Sequence, residues 1–199
     1  YMAYIVPGLI MMSVIINSYT NVSSSFFGSK FGRFIEEMLV SPISNQTILL
    51  GYVTGGVARA MSVGIIVTIL SLFFTDLVIH NMSAVVSITV LTAVLFSLLG
   101  FINGVYAKRF DDVSIVPTFV LTPLTYLGGV FFSIDLLPDF WAGVAQLNPI
   151  LYVVNAFRFG ILGVSDISLG WAYGILISMT IVAYVIAVRL LANGAGVRS

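Results

Sequence analysis

Charged residues are scarce in this chain of 199 residues: it has 8 Lys and Arg and 8 Asp and Glu, which together make up 8% of the sequence. A soluble domain carries about 25% charged residues, because its surface must be hydrated. Hydrophobic residues account for 59%, and the mean hydropathy is +1.12. This composition excludes a soluble enzyme, a nucleic-acid-binding protein and a disordered region, and it predicts a protein embedded in a lipid bilayer.

Cysteine is absent and histidine occurs once, at His80. The first absence excludes a disulfide framework and a thiolate metal site, and one histidine cannot build a zinc site. His80 lies in a short predicted loop, where a solvated residue is favoured over a member of a Ser-His-Asp set. All eight acidic residues lie near predicted span ends or in loops, which disfavours an intramembrane aspartyl enzyme. We therefore predict no catalytic residue and no metal ligand.

Lysine is also rare, and neither copy fits a phosphate-binding loop. That loop requires the pattern G-x-x-x-x-G-K-[ST]. Lys30 is followed by Phe31 and Lys108 by Arg109. The chain is therefore not predicted to bind ATP by this device, and no cofactor is predicted on it.

Long apolar runs are what the sequence has in place of charge. A membrane-spanning helix needs about 20 apolar residues, and runs of this kind cover about 4–22, 57–74, 84–106, 113–134 and 169–191. Residues 135–163 are apolar but divided by proline and glycine, which predicts a re-entrant or interfacial hairpin. No run alternates with period two, which excludes a transmembrane barrel. We predict an all-α polytopic membrane protein with five transmembrane helices and a re-entrant outer hairpin.

Basic residues predict the orientation, because Lys and Arg accumulate on the cytoplasmic side. Seven fall on or near one predicted side and only Arg158 falls on the other: Lys30, Arg33, Arg59, Lys108, Arg109, Arg189 and Arg198. The C-terminus is then cytoplasmic and the N-terminus outside. The chain starts at Tyr1 with no basic segment, so a signal peptide is not expected. We expect a fragment that lacks one upstream span of a six-helix parent.

Arg59 has two possible positions in this scheme. If its helix begins near Ile48, Arg59 is buried by more than two turns. If the span begins near Val57, the side chain snorkels to the cytoplasmic interface, and this position is favoured. A single arginine is in either case a poor basis for a proton pump.

The segment after the first span predicts a short amphipathic helix. Apolar residues recur at the helical spacing i, i+3, i+4, i+7 in Phe31, Phe34, Ile35 and Met38, whereas Arg33, Glu36 and Glu37 lie off that stripe, and Pro42 ends the helix. A helix that lies on a membrane normally carries a Lys- and Arg-rich polar face, and this one carries two Glu. Docking in a groove of a cytoplasmic partner therefore remains open beside the interfacial alternative.

Glycine pairs with the spacing G-x-x-x-G occur at Gly51/Gly55, Gly100/Gly104 and Gly170/Gly174. Small residues at this spacing allow two helix backbones to approach closely. The signal is weak in a chain with 18 glycines. It supports close helix packing and permits a dimer.

Three blocks of the sequence resemble the membrane subunit of type-2 ABC exporters. They are Arg33…Glu37-Met38-Leu39-Val40-Ser41-Pro42…Gly51, then Pro117-Thr118-Phe119…Pro123-Leu124-Thr125-Tyr126-Leu127-Gly128-Gly129-Val130-Phe131-Phe132, and finally Leu137-Pro138…Leu147-Asn148-Pro149-Ile150-Leu151-Tyr152…Arg158. The third block is the most specific, because Leu-Pro, Asn-Pro and Arg recur there at fitting distances. The resemblance covers essentially the whole chain.

The resemblance implies a half-transporter of the bacterial inner membrane that forms a homodimer among membrane lipids and binds an ABC ATPase subunit, with ATP and Mg²⁺ on that partner. A coupling helix at about 31–40 would contact the ATPase through Phe31, Arg33, Phe34, Glu36, Glu37 and Met38. An outer gate in the hairpin would include Pro138, Asn148, Pro149, Tyr152 and Arg158. The transport path would be lined by Pro123, Tyr126, Phe131 and Phe132.

We therefore expect a permease subunit that exports a hydrophobic or amphipathic substrate with a lipid-, drug- or glycan-like character. An ion-coupled secondary transporter is the alternative, and scarce intramembrane charge argues against it. A membrane-embedded enzyme or assembly factor is a further possibility, which the lone His80 disfavours.

Overall fold

The computed structural model describes residues 2–75, 79–132 and 138–194, and every regular element in these ranges is helical. The helices are α1 (Met2–Phe31), α2 (Phe34–Val40), α3 (Asn45–Ser71), α4 (Met82–Tyr106), α5 (Phe110–Val130), α6 (Asp139–Gln146), α7 (Pro149–Leu162) and α8 (Leu169–Ala192). Five of those described, α1, α3, α4, α5 and α8, are long and apolar enough to cross a membrane. The prediction of an all-α polytopic membrane protein is confirmed.

Two of the long helices extend beyond their predicted spans. α1 continues through the polar stretch after Ile16 to Phe31, because the polar side chains bond to the helix itself: the Asn17 amide, for example, donates to the Ser13 carbonyl at 2.9 Å. α3 begins at Asn45, where the Ser44 hydroxyl accepts from the Thr47 N–H at 3.2 Å and caps the helix. α1 therefore continues past the predicted end of its span at Val22, and α3 begins before the predicted start of its span at Val57.

α1 and α4 form the centre of the bundle. Gly100 and Gly104 of α4 pack on α1 so closely that a Cβ at Gly100 would overlap the Tyr19 carbonyl oxygen. One turn further, the Phe26 and Phe101 rings lie 4.4 Å apart. One of the three glycine pairs therefore serves packing within the chain.

α3 and α8 flank this centre and leave much of their surface uncovered. In the most apolar 18 residues of α3 and of α8, 22% of the residues are buried, against 56% in the corresponding stretches of α1 and α4. The glycine pairs on these two helices, Gly51/Gly55 and Gly170/Gly174, have no atom within 4 Å of a built Cβ. These faces are free for contacts outside the chain.

The two ends of the bundle differ in character. At the end we call the basic end, the Lys30 ammonium donates to the carbonyl oxygens of Val105 (2.8 Å) and Ala107 (2.9 Å) and joins α1 to α4. At the opposite, far end, the Asn81 N–H donates to the Gly160 carbonyl at 2.8 Å and joins the start of α4 to α7. His80 lies beside this joint, exposed, with its ring 5.8 Å from Phe159.

Candidate functional site

The helix α2 is separated from α1 by a sharp break at the basic end. Arg33 has φ 62°, a left-handed conformation that an α-helix cannot contain. Phe31 is consequently the last residue of α1, not part of α2, and the apolar stripe that the sequence predicts through Phe31 and Phe34 is interrupted. α2 begins at Phe34 instead of position 31.

One side of α2 packs on the bundle and the other is exposed. Ile35 is 1% exposed and Met38 is half-buried against the main core. Phe34, by contrast, is 59% exposed, and Glu36 and Glu37 are exposed beside it. The buried contacts fix the position of α2, while an aromatic ring and two carboxylates remain available to a partner.

Phe31 joins an aromatic cluster on the neighbouring helix. Its ring lies 6.2 Å from that of Phe27 and 5.2 Å from that of Phe110 at the start of α5. The side chain is nevertheless 70% exposed. Phe31 therefore belongs to an aromatic cluster of α1 and α5 and not to α2.

A cavity of about 390 Å³ opens between α2 and the start of α3. It is almost entirely apolar, and its lining residues are Met38, Ile43, Thr47, Ile48, Gly51 and Tyr52. Tyr52 is held there by a hydrogen bond of 2.7 Å from its hydroxyl to that of Ser29 on α1. α2 thus borders a cavity at the start of α3.

α5 is an irregular helix. Two stretches, Pro117–Leu121 and Tyr126–Val130, have widened, π-helical turns. Pro117 and Pro123 cannot donate a backbone hydrogen bond to the preceding turn, which favours such widening. The helical geometry is lost at Gly128 and Gly129, and the φ of 74° at Gly129 is one that glycine adopts without strain.

The residues predicted to line a path lie on this irregular helix and just after it. Pro123 and Tyr126 are exposed, whereas Phe131 and Phe132 are half-buried. The Tyr126 and Phe131 rings stack with centroids 5.4 Å apart and planes inclined by 17°. The widened turn between them brings these two side chains together.

Asn148 and Pro149 fasten the start of α7 to α5. The Asn148 side-chain oxygen accepts from the Ile150 N–H at 3.0 Å and caps α7, and its amide donates to the Leu124 carbonyl at 2.6 Å. Pro149 occupies the first helical position, where a missing N–H costs nothing. Close to this contact, a Cβ at Gly128 would lie 2.8 Å from the Ile150 side chain.

Arg158 is the central residue of this joint and is 1% exposed. Its guanidinium donates to the Gly129 carbonyl at 2.7 Å and to the Tyr4 hydroxyl at 2.8 Å, and lies 3.7 Å from the centre of the Tyr4 ring. One cation thus connects α7, the end of α5 and the start of α1. This joint, made by Arg158, Gly129, Tyr4 and Asn148, is called the arginine joint below.

The other residues predicted in the hairpin lie apart from the arginine joint. The Tyr152 hydroxyl donates to the Gln146 carbonyl at 2.8 Å and so braces α7 against α6. Pro138 is exposed and precedes α6. Residues 135–137 of the predicted hairpin and residues 133–134 of the fourth predicted span lie outside the described part of the chain.

A family model described as ABC-2 type transporter matches residues 1–162, most of the chain. The chain belongs to the ABC-2 type transporter family. It is 57% identical over 199 residues to the inner membrane transport permease YadH of Escherichia coli strain K12, a match that covers 100% of this chain and 78% of that protein. It is 23% identical over 194 residues to nodulation protein J of Rhizobium meliloti strain 1021, covering 96% of this chain and 73% of that protein.

As an ABC-2 type transporter subunit, the chain is a multi-pass permease of the inner membrane. The resemblance inferred from the three sequence blocks is confirmed. In this family the ATPase is a separate partner, so the chain itself is a transport subunit and not the enzyme.

Two residues of the arginine joint were not among the sequence-based candidates of this ABC-2 chain. Gly129 lay within a quoted block, and a Gly-Gly pair inside an apolar span is a recognisable signal for a break. Tyr4 gave no signal, because a tyrosine near the start of an apolar run is ordinary in a membrane protein. Its role depends on a contact between residues 154 positions apart.

Proposed function

We propose that this permease exports a hydrophobic or amphipathic molecule across the bacterial inner membrane, as one half of a homodimer with ATPase subunits that bind ATP and Mg²⁺. The apolar lining of the cavity beside α2 and the aromatic stack of Tyr126 on Phe131 support such a substrate. Both would accept acyl chains or ring systems more readily than ions.

The basic end would face the cytoplasm, with the C-terminus on that side. Five basic residues of the described chain lie at this end: Lys30, Arg33, Lys108, Arg109 and Arg189. Accumulation of Lys and Arg on the cytoplasmic side supports this orientation. At the far end, the exposed side chains of Trp141 and Trp171 have the positions expected of interfacial anchors.

The observation that carries the proposal is the two-sided surface of α2. Ile35 is buried on one side, and Phe34, Glu36 and Glu37 are exposed on the other. A movement imposed on the exposed side would pass through the buried side to α1, on which α2 packs. α2 would therefore be the coupling helix that docks on the ATPase, with Arg33 and Phe31 at the rim of the contact.

A second copy of the chain would cover the open face of α8. Its glycine pair Gly170/Gly174 permits close approach of another helix, and no described residue occupies the space beside it. At the far end, the arginine joint and its neighbours Pro138, Pro149 and Tyr152 would form an outer gate. Pro123, Tyr126, Phe131 and Phe132 would lie along the path that leads to it.

Co-purification with the ATPase tests this function. We expect the full-length protein to retain an ATP-binding-cassette subunit, and the double variant Glu36→Lys, Glu37→Lys to lose most of it, because two charges on the exposed side of α2 are reversed. Asp111→Lys is the matched control, since Asp111 is exposed at the start of α5 and lies off α2. It should retain the partner.

Two results would contradict the proposal. One is a full-length protein that retains no ATPase. The other is transport in vesicles that follows an imposed proton gradient and ignores ATP, which would favour the ion-coupled alternative.

A further inference from the structure

Arg59 lies in the middle of a membrane-spanning helix. At a rise of about 1.5 Å per residue it is about 21 Å from Asn45 and about 18 Å from Ser71, the two ends of α3. Both distances exceed the length of an arginine side chain. Arg59 therefore lies more than two turns from either end of α3, as expected if the helix begins near Ile48.

The contacts of α3 with α1 and α4 show at which level of the bundle Arg59 lies. One turn before Arg59, Gly56 packs on Val22 of α1 and Ser97 of α4, and one turn after it Gly64 packs on Val14. These contacts lie in the interior of both partner helices. Arg59 is thus at the level of the bundle's middle, while its own side chain is exposed on the outside of the chain.

The surface around Arg59 differs from a lipid-facing surface. Small and polar residues form an exposed or cavity-lining strip on the basic half of α3, here called the polar strip: Thr47, Gly51, Thr54, Gly55, Ala58, Arg59 and Ser62. The far half of the same helix instead exposes Ile65, Ile66 and Ile69. The polar strip begins in the cavity beside α2, which Thr47 and Gly51 line, and it ends at the level of Arg59 and Ser62.

Among the described residues no acidic residue lies at that level, because the acidic residues lie in α2, in the first turns of α5 and α6 and just before α8. A second copy related by an axis along the membrane normal has its described carboxylates at the same depths as the first, so it cannot neutralise Arg59 either. A lone cation at the bilayer centre is costly and normally faces water or a partner.

From the depth of Arg59, its exposure and the polar strip, we infer that Arg59 binds an anionic group of the transported molecule in a water-accessible path along α3. This inference rests on the proposed function and narrows its substrate class to amphiphiles with an anionic head, such as a phosphate or a carboxylate. The guanidinium offers a planar set of donors that matches these oxyanions. The apolar cavity and the isoleucine-rich half of α3 accommodate the tail.

The test uses the full-length permease with its ATPase in phosphatidylcholine nanodiscs. Dodecyl phosphate is the anionic probe, dodecyl maltoside has the same tail with a neutral head, and inorganic phosphate has the charge without a tail. The measurement is the concentration of each that gives a half-maximal change in the ATPase rate. We expect dodecyl phosphate to act at lower concentration than dodecyl maltoside and inorganic phosphate to have no effect.

Substitutions at Arg59 should change only the response to the anion. Arg59→Gln should raise the half-maximal concentration of dodecyl phosphate about tenfold, the usual effect of losing a charge-assisted hydrogen bond, and leave that of dodecyl maltoside unchanged. Arg59→Lys should recover most of the loss. Arg189→Gln, the same substitution in the last turn of α8, is the matched control and should behave like the unaltered complex.

A second variant keeps the test valid if Arg59→Gln fails to assemble. Ala58→Cys leaves Arg59 in place, and its modification by the anionic thiol reagent MTSES should produce the same loss of response to dodecyl phosphate. Modification by the neutral reagent MMTS should not.

Several outcomes would overturn the inference: equal potency of the two amphiphiles, an equally strong effect of inorganic phosphate, or a shift in Arg59→Gln that affects both amphiphiles alike. Each of these leaves the ATPase complex intact and so leaves the proposed function standing. Failure of the unaltered protein to bind an ATPase contradicts the proposed function instead. The two failures are therefore distinguishable.

Discussion

The helices α7 and α3 are both apolar and each carries one arginine, and the surroundings of the two arginines differ. Arg158 of α7 is buried, donates to Gly129 and Tyr4, and lies against an aromatic ring. Arg59 of α3 is exposed, and no acidic residue of the described chain lies at its depth. Both residues are arginines, but among the described residues only Arg158 has hydrogen-bond partners.

This difference separates a structural cation from one that is available for binding. Removing a charge from water is costly unless donors and acceptors replace the water. The chain supplies that replacement for Arg158, so its charge holds three elements in one place. None of the described residues supplies it for Arg59, so an outside group, water or an anion, would do so. The following predictions test this contrast, first by unfolding and then by thiol labelling.

Removal of Arg158 should have the largest effect on stability. Arg158→Ala leaves the buried Gly129 carbonyl without its donor and removes the hydrogen bond to Tyr4, and leaving a buried acceptor unpaired costs about 1–3 kcal/mol. We expect the free energy of unfolding in detergent to fall by about 3 kcal/mol or more. Denaturant titration followed by tryptophan fluorescence measures it.

Arg59→Ala is the matched comparison, because it removes the same side chain from a site without protein partners. Its free energy of unfolding should stay within about 0.5 kcal/mol of the unaltered protein. Equal destabilisation by the two variants would show that Arg59 also has a structural role, and would remove the contrast.

A change at Gly129 should weaken the arginine joint without altering a charge. Gly129→Ala forces a side chain into a conformation with φ 74° and brings its Cβ to 3.0 Å from Leu151. The left-handed conformation alone costs about 1–2 kcal/mol, which should appear in the same unfolding titration. Gly143→Ala is the control, because Gly143 is helical in α6 with open space around it, and it should be neutral or slightly stabilising.

The third prediction sharpens the contrast on the α3 side, by water accessibility. The 199 residues contain no cysteine, so a single introduced thiol can be followed once any cysteine elsewhere in the full-length protein is replaced. Ala58→Cys on the polar strip should react with MTSES, whereas Ile181→Cys should not, although Ile181 is 58% exposed and lies mid-way along α8.

The expected ratio of the two labelling rates follows from the free energy needed to bring an ion into lipid. A charged group at the bilayer centre costs about 2.5–3.5 kcal/mol, so the two labelling rates should differ by about a hundredfold. Similar rates at both positions would mean that the polar strip faces lipid. Labelling followed by gel shift with a thiol-reactive polymer measures both rates.

The five apolar runs could be predicted from the sequence, because a bilayer imposes length and hydropathy on each segment independently of the others. The ends of the helices were harder to predict from length and hydropathy. The polar stretch that starts at Asn17 marks the end of the first predicted span near Val22, yet Asn17 bonds within α1 and the helix continues to Phe31. Conversely, the break after Phe31 depends on the backbone of Arg33, a conformation that its residue type does not announce.

For the candidate site residues too, local features could be predicted from the sequence and long-range contacts could not. Asn148-Pro149 is a local signal for a helix start, and the structure has that cap. The partners of Arg158 lie on two other helices, so neither Gly129 nor Tyr4 could be paired with it from spacing. The depth of Arg59 depended on where α3 begins, which Ser44 decides through a single cap. The exposure of its side chain depends on how α1 and α4 pack beside it.

The end of α5 also has an electrostatic consequence. Aligned peptide dipoles leave about half a negative elementary charge at the C-terminal end of a helix. α5 stops inside the bundle at Gly129, where the guanidinium of Arg158 binds its terminal carbonyl. The two opposing charges cancel much of each other's field at a distance. A negatively charged molecule leaving Arg59 would therefore meet little attraction at the far end of the bundle that could hold it back.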